Sequence, residues 1–182
     1  MKVCVDVYYT NDIAMASGAV FDEWTTEDAI ADEFFIAKDV QPYEPGQFYK
    51  RELPPLSGLI NQLNYDLDVI VIDGFVWLDD ANSPGLGSYL FEEFDQKIAV
   101  IGVAKSRFRK SSIAVEVMRG SSLRPLFVTA VGMDQSEAAE RIRDMHGNFR
   151  MPTLLKRADR FGRDKAEELA SAVSSTNDSR TL

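Results

Sequence analysis

Asp68-Val69-Ile70-Val71-Ile72-Asp73-Gly74 is the stretch that decides the fold. Four consecutive β-branched apolar residues between two aspartates are too few for a helix and read as a buried strand. An amphipathic helix is predicted just before it, from Ser57 to Leu67, with Leu59, Ile60, Leu63 and Leu67 on one face. A turn-rich segment follows it through Gly87, then a helix near Tyr89 to Phe94 and a second buried strand from Lys97 to Val103. Farther upstream, Val3, Val5 and Val7 alternate with other residues up to Tyr9, and Ile13–Phe21 and Glu33–Val40 are two more β-prone runs. Their short connections suit antiparallel neighbours. Between them and the helix lies Gln41–Pro55, which with Pro42, Pro45, Gly46, Pro54 and Pro55 cannot be one uninterrupted helix or strand. Farther downstream come strands near Ile113–Met118 and Leu126–Val131. A helix over Ser136–Met145 follows, capped by Asp134 or Ser136, and a last helix over Thr153–Ala172. Strands first paired antiparallel, then alternating with helices, imply an α/β fold: a mixed β-sheet flanked by α-helices. We expect a single domain over residues 1–172 and a frayed tail over 173–182.

The totals narrow the chemistry. A chain of 182 residues, 45% apolar and 27% charged, can build one substantial core and is too hydrophobic to be disordered. The apolar run Ile98–Ala104 is far shorter than the roughly 20 residues that span a bilayer. Asp6 stands where a signal peptide would continue its apolar run, so a cytoplasmic setting with no membrane partner is expected. One cysteine and one histidine exclude an internal disulfide and a zinc site built from those residues, leaving oxygen as the main donor for any metal. The net charge of −9 is unevenly spread: −7 over residues 1–40, −7 over 41–104 and +5 over 105–182. The acidic part is either solvated surface or carboxylates gathered round a divalent ion, while the basic part can meet phosphates.

Four acids stand out by placement. Asp6 lies within the first strand, Glu52 follows Lys50-Arg51, Asp73 ends the buried strand before a glycine, and Asp159 sits in the basic run Lys156-Arg157-Ala158-Asp159-Arg160. Each has a plain alternative: Asp6 paired with an arginine, Asp73 in a turn or cap, Glu52 solvated, and Asp159 a same-face helix partner of Lys156 (i,i+3) or Arg163 (i,i+4). Together at one sheet edge they would make an oxygen-rich pocket for Mg²⁺ or Mn²⁺, able to activate water against a phosphodiester.

The order of the motifs resembles the endonuclease V family, which has a ribonuclease H-like fold. The matching pieces are Val5-Asp6-Val7-Tyr8-Tyr9, Pro42-Tyr43-Glu44-Pro45-Gly46, Arg51-Glu52-Leu53-Pro54, Val71-Ile72-Asp73-Gly74 and Ile101-Gly102-Val103-Ala104-Lys105, then Phe149-Arg150-Met151-Pro152 and Arg157-Ala158-Asp159-Arg160. The resemblance implies a nuclease that cleaves DNA or RNA near deaminated adenine (inosine) with Mg²⁺ or Mn²⁺. By position, it makes Asp6, Glu52 and Asp73 the metal carboxylates and sets Lys105 beside the scissile phosphate, where its charge would stabilise developing negative charge. It makes Tyr43 a wedge in the base stack, stiffened by Pro42 and Pro45. Gly46, Gly74 and Gly102 would then let backbone approach the base that is turned out.

The chain also departs from the family's pattern. After the strand the family usually has Asp-Gly-x-Gly-x-x-His-Pro-Arg, whereas here Asp73-Gly74 is followed by Phe75-Val76-Trp77-Leu78-Asp79-Asp80-Ala81. Asp79 thus holds the histidine's place, and the second glycine and the Pro-Arg pair are absent. Near the carboxyl end Asp159 replaces another usual histidine, a change that keeps a ligand suited to hard metal and implies a four-carboxylate site. Glu44 adds negative charge to the wedge. Three readings follow: a divergent metal-dependent endonuclease, a non-catalytic nucleic-acid-binding module, and a small-molecule nucleotide phosphohydrolase. The sequence does not choose between DNA and RNA or set the oligomeric state.

Overall fold

A computed structural model describes residues 1–10, 13–38, 44, 46–109 and 111–178. In chain order its elements are β1 (Lys2–Thr10), β2 (Ile13–Phe21), β3 (Ala31–Lys38), α1 (Tyr49–Gln62), β4 (Val69–Asp73), α2 (Leu86–Glu93), β5 (Ala99–Ala104), β6 (Val115–Val117), β7 (Leu126–Val131), α3 (Gln135–Asp144) and α4 (Thr153–Asp178). All seven strands form one sheet in the order β3-β2-β1-β4-β5-β7-β6. The first three strands pair antiparallel, β1, β4 and β5 run parallel, and β7 and β6 return antiparallel. The expected mixed sheet flanked by helices is therefore what forms. Among the described residues no helix is long and apolar enough to cross a membrane.

The run that decides the fold lies at the middle of this sheet. Alternate residues of β4 feed two separate cores: Val69 and Val71 join Cys4, Ile101 and the buried residues of α3 and α4. Ile70 and Ile72 join Val3, Val5, Val100 and the buried faces of α1 and α2. Four consecutive apolar residues are needed because both faces of the strand are covered. Asp134 caps α3, its Oδ1 accepting from the Ser136 and Glu137 amides at 2.9 Å.

The helix before β4 differs from the sequence reading. It starts at Tyr49, not near Ser57, and carries Pro54 and Pro55 within it. Proline's fixed φ is itself helical; the cost is two missing amide donors, which would have paired with the Lys50 and Arg51 carbonyls. That loss falls in the first turns, close to solvent, while Leu56, Leu59 and Ile60 are buried farther along. Stacking of Tyr49 on Tyr89, ring centroids 3.7 Å apart, ties the start of α1 to α2. The helix ends at Gln62, so Leu67, although buried, lies beyond it. Likewise α2 begins at Leu86, ahead of the expected Tyr89.

Two close approaches set how the layers meet. Ser17 of β2 donates to the Ala158 carbonyl of α4 at 2.8 Å, and a Cβ on Gly162 would lie 2.6 Å from the Ser17 hydroxyl. In β5 a Cβ on Gly102 would lie 2.7 Å from the Gly74 carbonyl oxygen and 2.9 Å from the Val76 amide nitrogen. Glycine at 102 lets the loop that leaves β4 cross directly over β5. Gly102→Ala therefore forces backbone apart and should destabilise the protein by about 1–3 kcal/mol. A urea melt with an unchanged midpoint would contradict this packing.

Candidate active site

Parallel pairing of β1 with β4 aligns Val5 with Ile72, so Asp6 and Asp73, the next residues along, come level on neighbouring strands. Both share the sheet face of Cys4 and Val71, which α4 covers. Asp159, one turn along α4 from Leu155, reaches the same place. Asp6, Asp73, Asp159, Lys105 and Lys156 line one pocket of about 170 Å³, with Val5, Met151 and Leu155 as its apolar wall. Glu52 approaches from the other side of the sheet, in the first turn of α1, and is only 8% exposed. Buried in this way, it departs from the solvated alternative; the cause is the early start of α1, which turns this residue toward the strand ends.

The electrostatics record the crowding. Burial, then the charges of Asp159 and Asp73, push Asp6 up to about 6. Burial, then the charges of Asp6 and Asp73, push Glu52 up to about 8. The opposing cation is Lys105, just beyond β5: its Nζ lies 2.6 Å from Asp73 Oδ2, and this hydrogen bond raises its pKa. Asp159 accepts from Arg163 at 2.9 Å, the i,i+4 pairing that its helix position allows. It thus has both of the neighbours considered for it, an arginine and the pocket.

An oxygen-only set of mutually repelling carboxylates, Glu52 buried, Asp6 and Asp73 partly buried and Asp159 exposed at the rim, suits a hard divalent cation by its chemistry. Among the described residues, however, no group of three acids, histidine or cysteine is already drawn into a ligating arrangement. The Lys105 ammonium holds Asp73 instead.

The other residues singled out by sequence fall as follows. Pro42, Tyr43 and Pro45 lie outside the described residues. Glu44 is exposed with Lys50 Nζ 3.4 Å from its Oε2, and Gly46, at φ +80°, has nothing within 4 Å of a Cβ position. Gly74, at φ +153°, leads the chain out of β4, whereas Gly102 is needed for the crossing of the protein's own backbone. Asp79, where the family usually has histidine, holds its own turn: its Oδ1 accepts from the Ala81 and Ser83 amides at 3.0 Å. Of the basic residues that follow Lys105, Arg107 pairs with Glu116 and Arg109 lies over the Phe108 ring.

Two features were missed from sequence. Lys156 joins the pocket, and its i,i+3 spacing from Asp159 was the available signal. Arg119 is 4% exposed and donates to the carbonyls of Arg143, Met145, His146, Gly147, Phe149 and Arg150. No local pattern marks a buried arginine that far from its acceptors.

A mixed sheet with acids at the ends of adjoining parallel strands and helices on both faces defines the chain as a ribonuclease H-like protein. Its fold superposes on endonuclease V from Streptomyces avermitilis with a TM-score of 0.76 at 25% identity, covering 92% of this chain and 82% of that one. The catalytic domain of human endonuclease V gives 0.75 at 23% identity, with coverages of 93% and 83%. The Bacillus subtilis enzyme gives 0.73 at 16% identity, with coverages of 94% and 81%. No curated protein sequence matches the chain significantly. The endonuclease V family profile matches residues 2–133, and the chain belongs to that family. It is accordingly a nuclease, a hydrolase of nucleic-acid phosphodiesters.

Raised carboxylate pKa values have a definite effect on stability. An acid that binds its proton more tightly when folded favours the fold below its unfolded pKa, and that contribution is lost as pH rises through the folded value. For Glu52 the window runs from its ordinary value of 4.5 to about 8. In metal-free protein, Glu52→Gln should therefore be more stable than the parent by about 1–3 kcal/mol at pH 8.5, with the difference vanishing near pH 4.5. Urea unfolding in chelator across this range checks it, and equal stabilities at both ends would contradict the burial of a charged Glu52.

Proposed function

We propose that the pocket at the ends of β1 and β4 is the cutting site of a metal-dependent endonuclease that acts near deaminated adenine, that is inosine, in DNA or RNA. The observation that carries the reading is the meeting of Asp6, Asp73 and Asp159 with Lys105 in one pocket, with Glu52 close enough to be titrated by two of them. Asp6, Glu52, Asp73 and Asp159 would hold Mg²⁺ or Mn²⁺. When bound, a hard cation supplies a water made acidic enough to attack phosphorus at neutral pH.

The chain's own residues have the remaining work. Glu52, pushed up to about 8, holds a proton at neutral pH that it would release when cationic charge enters the pocket, while Asp6, at about 6, is largely ionised there already. Lys105 has three N–H donors and spends one on Asp73. Its remaining donors can meet a phosphate oxygen as negative charge builds there. Hydrolysis joins the oxygen of water to phosphorus and breaks the bond from phosphorus to the 3′-oxygen, which leaves with a proton. The products are a 3′-hydroxyl and a 5′-phosphate. Lys156 adds a second positive charge at the pocket wall. Tyr43, Pro42, Pro45 and Gly46 would form the wedge that turns the modified base out, an act that costs a few kcal/mol and less at a mismatch. In support of the four-carboxylate reading, Asp159 stands on the pocket, whereas Asp79 is engaged by its own turn.

The test uses labelled single- and double-stranded oligonucleotides, each with and without one inosine, in Mg²⁺, Mn²⁺ or chelator. We expect metal-dependent cutting beside inosine, reduced below about 1% of the parent by Asp73→Asn with binding retained. Cutting without regard to inosine would discard the lesion preference alone. Binding with no cutting in any metal would instead mean a non-catalytic module.

A further inference from the structure

We propose that Phe149 is a stacking platform for a nucleobase next to the cutting site. The inference rests on the reading of the carboxylate pocket as that site. Phe149 is 68% exposed, yet it stands on a tightly held segment. The guanidinium of Arg119, buried beneath, donates to six carbonyls between residues 143 and 150, that of Phe149 itself at 3.1 Å and its neighbour's, Arg150, at 3.2 Å. The turn that carries Arg119 packs against the same segment so closely that a Cβ on Gly120 would collide with the Asn148 carbonyl. The backbone that presents an exposed aromatic ring is thus held by a buried cation, and that ordering precedes any ligand.

Its place gives the ligand class. Arg150, the next residue, donates to the Lys105 carbonyl, linking the platform to the cation on Asp73. Lys156 stands over the ring, its Nζ 4.3 Å from the centroid, and also lines the carboxylate pocket. The ring and the pocket therefore share one lysine. A flat π-surface beside an ammonium, one step from a phosphate-cutting centre, matches one nucleotide of a strand: base on Phe149, phosphate toward Lys156. Stacking of this kind tolerates any base, so the platform would position the strand and leave lesion choice to other residues.

Fluorescence anisotropy in chelator, where no cutting occurs, tests this with two probes of equal length and charge. One is a fifteen-residue oligothymidylate and the other the same phosphate backbone without bases. Phe149→Ala should weaken oligothymidylate binding about tenfold and the abasic strand less than about twofold, while Phe149→Trp restores the parent affinity. Equal weakening of both probes would mean that the ring merely supports the segment and would overturn the platform. So would no effect of Phe149→Ala in a protein that binds and cuts, which leaves the pocket reading intact. A parent chain that binds neither probe would overturn the platform, while the pocket reading stands or falls separately on metal-dependent cutting.

Discussion

Carboxylates brought together out of water repel, and at the ends of β1 and β4 the fold accepts that repulsion. Asp6 and Asp73 come level because the two strands run parallel with Val5 beside Ile72, and α1 and α4 then add Glu52 and Asp159 from opposite faces. Burial and like charge together raise the pKa of both Asp6 and Glu52. Such an arrangement opposes folding at neutral pH, and its persistence is understandable where a cation completes it. The hydrophobic layers on both faces of β4 hold the strands in that register, and Lys105 supplies a direct counter-charge on Asp73.

On the proposed reading, a cation held by Asp73 would have to displace or share Lys105's contact with it. An ammonium and a divalent ion are then alternatives for the same oxygen, and the lysine's other donors are free for phosphate in either case. Asp159 shows a related economy. Its ion pair with Arg163 leaves it on the pocket wall, where, on the proposed reading, a carboxylate in the place of the family's usual histidine would keep a ligand for hard metal. Asp79 offers no such replacement, because its oxygen is taken up by the Ala81 and Ser83 amides.

The parts of the fold legible in sequence were those carried by period and by apolar runs. Val69–Ile72 and Leu126–Val131 could only be strands, and the Asp134 cap follows from a short acid just ahead of a helix. The start of α1 was not legible, because two prolines read as a break although their φ suits a helix and only two hydrogen bonds are lost. Glu52 stood out by its placement after Lys50-Arg51 and then by the family's motif, but its burial depends on that misread helix start. Arg119 and the ring of Phe149 were illegible for another reason. Their arrangement depends on contacts between the turn after β6 and a loop about 30 residues away, and nothing local to either segment records it.

Calorimetric titration of Mn²⁺ into chelator-stripped protein near pH 6.5 tests the cation site most directly, since it needs no substrate and no cutting. Binding should release protons, because in the empty pocket Glu52 holds one and Asp6 a fraction of one, and Asp73→Asn should remove the binding. A titration in which the parent and Asp73→Asn take up Mn²⁺ alike, or in which neither takes it up, would contradict a carboxylate-held cation at the ends of β1 and β4.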